Sequence, residues 1–233
     1  MSIEAGSAPP PRPGRGGTAL DLGAIEASLR DLAEQFPRVN SALGSPRDPL
    51  ERVTVDAMVS GYALVDDLIG RGIDLFSLGQ LRTFLELNAL VLCGPDERVR
   101  SEARQHLAAT ERHFYDNAEG GIRDIIEWHA LHAAESAWMR AAGVYIRILS
   151  EPELFIEGNH RTGALVMSYI LVRAGHPPFV LTIENAKTAL DFSTMFTMKR
   201  KAGMALRWQM PWLKRRFAAF LQAQADPRFL RRT

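Results

Sequence analysis

The chain has 233 residues, of which 46% are hydrophobic and 24% are charged, and its formal net charge is +1. This composition is ordinary for a soluble globular protein, and the length suits one large domain or a core domain with an extension. The single cysteine, Cys93, excludes an intramolecular disulfide, no apolar run is long enough to span a bilayer, and no secretory signal opens the chain, so we expect a cytoplasmic protein with no membrane contact.

Apolar residues recur at helical spacing along most of the chain and predict an all-α fold. The first 20 residues are rich in proline and glycine, so we predict a disordered or extended tail over 1–20 and a single helical domain over 21–233. We expect Pro37 to stop the first helix, and Pro211 to kink or start a turn in the last helical region. The predicted helices, in chain order, cover 23–36, 54–69, 77–92, 95–115, 122–149, 161–174 and 182–199.

The C-terminal end of the chain is strongly basic. Between Lys199 and Thr233 there are ten lysines and arginines against one acidic residue, Asp226. Such a surface could meet nucleic acid, an acidic protein face or the acidic remainder of the chain itself. The aromatic residues in it are spaced by three and four, as in the buried stripe of an amphipathic helix, and no nucleic-acid module is visible. We therefore predict basic C-terminal helices with a solvated face and expect no nucleic-acid partner.

A polar turn precedes the predicted helix 161–174 and holds the main candidate site. Glu157, Gly158, Asn159 and Arg161 stand close together, and an apolar run at helical spacing follows them. The backbone N–H groups and the dipole at such a helix start attract anions, a carboxylate can hold a divalent cation, and an arginine can clamp phosphate oxygens. The residues alone favour equally a cradle for a magnesium-bound phosphate and an ordinary loop with a capped helix start.

This segment resembles the signature of the Fic/Doc (Fido) family, H-x-F-x-D/E-G-N-G-R-x-x-R. Aligned without gaps, Phe155, Glu157, Gly158, Asn159 and Arg161 match it. The flanks are similar too, so the resemblance covers a motif core of roughly 135–185, and the rest of the chain is similar only loosely. It implies a helical Fic-like domain with a small β-hairpin flap, which would fall at the turn 116–121.

The departures from the signature fall on positions that carry chemistry in the family. Glu153 stands in place of the catalytic histidine, His160 in place of the second-half glycine, and Ala164 in place of the second arginine. A glutamate can act as a general base, although its reference pKa near ~4.3 makes it less basic than histidine unless burial raises it. The string that marks the self-inhibiting helix of many Fic proteins is absent from the chain, which fits the loss of the arginine that its glutamate would grip.

The resemblance implies a transferase that moves AMP, or another phosphate-containing group, from a nucleotide such as ATP onto a hydroxyl of a protein or small-molecule target. Glu153 would then be the base and Glu157 the Mg²⁺ ligand. The predicted phosphate contacts are Gly158, Asn159, His160, Arg161 and Gly163.

Two alternative functions remain open at this point. A homodimeric assembly also remains open. The missing histidine and arginine favour a catalytically inactive Fic fold used as a binding or scaffold module. The non-glycine residue at His160 favours a Doc-like phosphotransferase instead. A separate metal site at His129, His132 and Glu135, which share one helix face, is a weaker hypothesis because no further histidine or cysteine ligand stands near them in sequence.

Overall fold

The computed structural model describes residues 20–116, 120–197 and 204–231, with side chains in the last segment from 211 onward. Within these ranges the protein is all-α, as predicted, and β pairing is limited to isolated bridge residues, among them Leu20, which pairs with Leu230. The α helices in these ranges are α1 (Leu22–Ser41), α2 (Arg52–Gly70), α3 (Leu81–Cys93), α4 (Glu97–Glu102), α5 (Arg104–Asp116), α6 (Ile122–Leu131), α7 (Ala137–Leu149), α8 (Asn159–Arg173), α9 (Ala186–Thr197) and α10 (Met204–Ala223).

Helix α8 lies at the centre of the molecule. Its residues from Thr162 to Val172 are all buried, so every face of this helix packs against protein, chiefly α7 and also α2 and α3. Gly163 permits the close approach of α7, because a Cβ built there would lie 2.9 Å from Cδ2 of Tyr145. The continuous burial explains why the apolar run after the polar turn was easy to identify as a helix.

The two ends of the described chain meet beside α2. The backbone N–H of Leu20 donates to Oδ1 of the buried Asp66 at 3.0 Å, and the N–H of Asp21 donates to the carbonyl of Phe229 at 2.9 Å. Phe229 itself is only 2% exposed. The predicted tail over 1–20 lies almost entirely outside the described residues.

Several predicted helix boundaries are wrong. The helix predicted over 122–149 is two helices, because Nδ1 of His132 donates to the carbonyl of Trp128 and Ser136 caps the start of α7. The helix predicted over 95–115 is likewise divided, at Ala103. Neither break contains the glycine or proline that would mark it in the sequence.

The predicted stop of the first helix at Pro37 is wrong, and no turn begins at Pro211, whereas a kink of the last helix at Pro211 stays a prediction. Helix α1 continues through Pro37 to Ser41, and Pro211 lies inside α10. Phe36 and Val39 on either side of Pro37 are buried in a small apolar cluster with Leu32 and Ala186, which offsets the cost of proline, about 3 kcal/mol in a helix interior.

The other predicted features near these helices have mixed outcomes. The helix predicted from residue 182 begins at Ala186, since Thr182 and Asn185 form a turn with reciprocal side-chain bonds to each other's backbone N–H. Its predicted end at residue 199 lies outside the described residues. The tip of the expected hairpin flap, 117–119, is also outside them, and the flanking residues up to Asp116 and from Ile122 are helical rather than strand.

One part of the basic C-terminal region contacts the chain's own acidic surface. Nζ of Lys214, on α10, lies 2.7 Å from both carboxylate oxygens of Glu135, and the ammonium also stands over the ring of Trp128. His132 stacks on Trp128, and His129 stacks on Phe76. These side chains serve packing and ion pairing, and no group of three potential metal ligands exists in the described parts of the chain, so the weaker metal hypothesis fails.

Candidate functional site

The loop between α7 and α8 ends in a glycine with a left-handed backbone. Gly158 has φ +77° and precedes the first residue of α8, and no side chain caps this helix start. A Cβ at this position would lie 2.9 Å from Nδ2 of Asn88 on α3, so both the conformation and the space require glycine. Asn88 in turn donates to the carbonyl of Glu157 at 2.8 Å and to Oγ1 of Thr162 at 3.1 Å, which fixes the loop against α3.

The side chain of Asn159 closes the loop on itself. Its Oδ1 accepts a bond from the N–H of Phe155 at 2.9 Å, and its Nδ2 donates to the carbonyl of Phe155 and to Oε2 of Glu153, both at 2.7 Å. The residue is only 3% exposed. Since both amide hydrogens are already engaged, a phosphate contact from this amide, which stays a prediction, would require the loop to open.

Glu153, the predicted base, is half-buried at the inner side of this loop. Its carboxylate is held by Asn159, and its carbonyl lies 3.0 Å from Nε2 of His113 on α5. The carboxylate therefore has a fixed place in the loop. The assignment of Glu153 as the base stays a prediction.

Glu157, the predicted metal ligand, faces outward. Its side chain is 65% exposed, and Oε2 lies 3.7 Å from Nε2 of His106 on α5. Glu157 belongs to no group of three or more potential metal ligands in the described part of the chain. A Mg²⁺ ion here would take one protein oxygen from Glu157 and its other ligands from phosphate and water, which is how this ion is commonly bound beside nucleotides.

His160 and Arg161 point to a different side of the helix start from Glu157. Both residues line an internal cavity, together with Ala164, and neither Glu157 nor Glu153 does so. Nη1 of Arg161 donates to the carbonyl of Val91 at the end of α3. Burial lowers the pKa of Arg161, and the charge of Glu157 opposes that shift, so the two charged groups sense each other without forming an ion pair among the described contacts.

The imidazole of His160 is neutral at physiological pH. Burial, and after it the positive charges of Arg47 and Arg161, lower its pKa to about 4. Its Nε2 lies 3.5 Å from Nη1 of Arg47. His160 therefore cannot supply a positive charge to a phosphate, in contrast to the added charge that the sequence allowed.

Arg47 is the residue of this site that sequence reasoning missed. It comes from the proline-rich connector between α1 and α2, and its Nη2 donates to Oγ1 of Thr194 at 2.8 Å and to Oγ of Ser193 at 3.3 Å. No local pattern marks it, because its partners lie more than a hundred residues further along the chain. A lone arginine between two prolines reads as a surface loop residue.

Gly163, a predicted phosphate contact, is buried in the contact between α7 and α8. The structure gives this glycine a packing reason, namely the ring of Tyr145. The structure thus places Gly158, His160 and Arg161 at the helix start, uses Asn159 to hold the loop, and leaves Glu157 on the outer surface.

Neither a family model nor a curated protein sequence matches this chain. Among solved structures, it is similar to a Fic-1 segment from C. elegans, with a TM-score of 0.44 and 17% sequence identity over 87% of this chain. The chain spans 60% of the length of that solved segment. No helix in the described ranges has the length and hydropathy needed to cross a membrane.

Proposed function

We propose that this chain is a Fic-like protein that binds a phosphate-containing ligand at the N-terminal end of α8, with a nucleotide such as ATP as the first candidate. The observation that carries the proposal is the helix start itself. It opens on Gly158 with no side-chain cap, and the guanidinium of Arg161 stands in its first turn. The N–H groups of a first helical turn have no partner within the helix and favour an anion.

Arg161 suits this role because its protein contacts do not exhaust it. In the described part of the chain it makes one hydrogen bond, to the carbonyl of Val91, and no carboxylate lies within ion-pair distance. Its remaining N–H donors can form charge-assisted bonds to phosphate oxygens. The matched residues of the Fic signature, from Phe155 to Arg161, support a nucleotide as the source of that phosphate.

Calorimetric titration with ATP, AMP and inorganic phosphate, each with and without Mg²⁺, tests the proposal. Replacing Arg161 with Ala should weaken phosphate binding at least tenfold, since hydrogen bonds to charged groups contribute about 1.5–3 kcal/mol. The matched control is Arg98→Ala on α4, an exposed arginine outside the site, and it should bind as the wild type does. Absence of binding to the wild-type protein would refute the proposal.

A second candidate function is transfer of AMP or a phosphoryl group from the bound nucleotide to a hydroxyl. The observation in its favour is the fixed carboxylate of Glu153, which Asn159 holds at 2.7 Å inside the same loop. Glu153 would accept the proton of the attacking hydroxyl, and Glu157 would contribute an oxygen to Mg²⁺ beside the phosphates. The competing interpretation is a Fic fold that binds without catalysis.

Glu153→Gln separates these interpretations. The glutamine carbonyl can still accept the bond from Asn159, so the loop and nucleotide affinity should be preserved. Mass spectrometry of proteins incubated with ATP would show an added nucleotide for AMP transfer and an added phosphate for a Doc-like reaction. Loss of either product in Glu153→Gln supports catalysis with Glu153 as the base. Equal products from both forms would contradict the assignment of Glu153, and no product from either form would support a binding module.

A further inference from the structure

Behind the start of α8 lies a cavity of about 470 Å³ that is partly open to solvent and is lined by residues of α1, α2, α7, α8, α9, α10 and the connector before α2. This volume falls in the range of small-molecule binding sites, roughly 300–1,000 Å³. Its walls are mainly aliphatic and aromatic, and they include Phe36, Met58, Tyr62, Ala164, Phe179 and Phe217.

The two tyrosine hydroxyls of the apolar walls are already engaged. The hydroxyl of Tyr62 donates to the carbonyl of Phe179 at 2.6 Å. The hydroxyl of Tyr145 interacts with Ser193, and burial raises the pKa of both tyrosines. A nucleobase placed here would leave its ring nitrogens and exocyclic groups without partners, which is costly in a buried site. A hydrocarbon or unsubstituted aryl group has no polar atoms that would be left without hydrogen-bond partners.

Ala164 keeps this space open. It stands where the resembled signature has its second arginine, and it is buried in the cavity wall. An arginine side chain at this position would extend into the cavity and bring a charge with it. With alanine, the same region is apolar.

The polar residues of the cavity belong to one contiguous edge. Arg47, Asp48 and Glu51 come from the connector and the start of α2, and His160 and Arg161 come from the first turn of α8. Asp48 and Glu51 are exposed, whereas both arginines are half-buried and have no carboxylate within ion-pair distance in the described part of the chain. His160 between them is neutral. This edge therefore presents two guanidinium groups that form no ion pair in the described part of the chain, together with the exposed Asp48 and Glu51, beside an apolar chamber.

We infer that the cavity binds an amphipathic anion whose hydrocarbon body lies against Ala164 and whose phosphate head lies between Arg47 and Arg161. The inference rests on the proposed function because both use Arg161, and it adds the chemical class of the ligand. It also gives Arg47 a role that the signature does not contain.

Titration with butyl, hexyl and octyl phosphate, each below its critical micelle concentration, tests the inference. Each buried methylene contributes about 0.8 kcal/mol, so the Kd should fall about fourfold for each one added. Inorganic phosphate serves as a probe that lacks the hydrocarbon body, and octanol serves as a probe that lacks the phosphate head. An affinity that does not change with chain length overturns the inference.

Two kinds of variant separate the body from the head. Ala164→Phe and Leu50→Trp fill the cavity from different elements and should each remove the dependence on chain length, while circular dichroism verifies the fold. Leu50 lies in the connector and tolerates a larger side chain more easily than the helix does. If octyl phosphate binds to both filled variants as tightly as to the wild-type protein, the ligand does not occupy the cavity.

Arg47→Gln should weaken the binding of octyl phosphate at least tenfold, since it removes a charged partner of the head group. The matched control is Arg52→Gln, whose side chain is 79% exposed and pairs only with Asp56 on the surface. Equal affinity of the two variants would overturn the assignment of Arg47.

The proposed function and this inference fail separately. If ATP and inorganic phosphate bind but alkyl chains add nothing, the helix-start site stands and the cavity inference falls. If alkyl phosphates bind with the expected chain dependence and ATP does not, the cavity inference stands and the nucleotide proposal falls.

Discussion

Asn159 shows how a residue that matches a signature can be used for structure. Its amide hydrogens go to Phe155 and Glu153, and its oxygen accepts from the N–H of Phe155. The N–H donor of Phe155 identifies which amide atom is oxygen, so the orientation does not depend on the neighbouring carboxylate. The loop therefore relies on one side chain for several bonds, and its stability should be sensitive to the chemistry of that side chain.

Replacing Asn159 with Asp puts a second carboxylate oxygen beside Oε2 of Glu153, at the place where Nδ2 now lies 2.7 Å from it. Like charges repel at this distance, and the lost bonds leave buried acceptors unpaired, so we expect a loss of about 2–3 kcal/mol at neutral pH. Urea denaturation measures the change.

The double variant Asn159→Asp with Glu153→Gln provides the control. The glutamine amide can donate to the new carboxylate, so the pair should recover about 1–3 kcal/mol relative to additivity. The carbonyl of Phe155 stays without its donor, and recovery should therefore be incomplete. Purely additive effects of the two substitutions would show that Glu153 and Asn159 do not interact in solution.

At the scale of elements, the apolar pattern predicts where helices are and predicts poorly where they end. Helix α8 is buried on all faces and α2 carries a continuous apolar face, and both were identified to within two residues. The break between α6 and α7 depends instead on His132 bonding to the carbonyl of Trp128 and on the cap at Ser136. These side-chain hydrogen bonds form only in the folded protein. Histidine and serine also occur inside helices, so neither residue marks a helix end in the sequence.

The contact between α7 and α8 depends on Gly163, which we predict from the sequence to contact phosphate. Gly163→Ala should destabilise the protein by about 1–3 kcal/mol, because the added Cβ would lie 2.9 Å from the ring of Tyr145, which is 7% exposed and cannot move freely. Thermal denaturation measures the effect.

Gly70→Ala is the matched control for this substitution. Gly70 also lies in a helix, α2, but nothing stands within 4 Å of a Cβ built there. Alanine should stabilise this position by about 0.5–1 kcal/mol through helix propensity. If Gly163→Ala raised the thermal stability as Gly70→Ala is expected to do, this result would contradict the close approach of α7 and α8.

At the scale of the whole molecule, the sequence supports the all-α class and the position of the polar loop, and it does not reveal what closes the cavity. Arg47 reaches His160 and Thr194 only after α1, α8 and α9 have packed together. Contacts of such sequence separation leave no periodic trace, and the proline-rich connector resembles any surface loop. The same reason hides the meeting of the chain ends, where Leu20 pairs with Leu230.

That meeting of the ends yields a prediction about the cooperativity of the fold. Phe229 is 2% exposed, and its carbonyl accepts the N–H of Asp21 immediately before α1. Phe229→Ala should cost about 3–5 kcal/mol, as truncation of a buried aromatic ring does. Leu20 and Asp21 lie immediately before α1 and bond to the buried Asp66 and to Phe229 in turn. The loss should therefore spread to both ends of the described chain rather than remain local.

Hydrogen exchange distinguishes these two outcomes. In Phe229→Ala, protection should fall together at the start of α1 and over 226–231, while the protection of α8 should fall by no more than the loss in the global free energy of unfolding. Trp212→Ala on α10 is the control, since that ring is 48% exposed and its loss should change neither region. Faster exchange confined to 226–231 would mean that the C-terminal segment only covers the surface, and that the start of α1 is held by Asp66 alone.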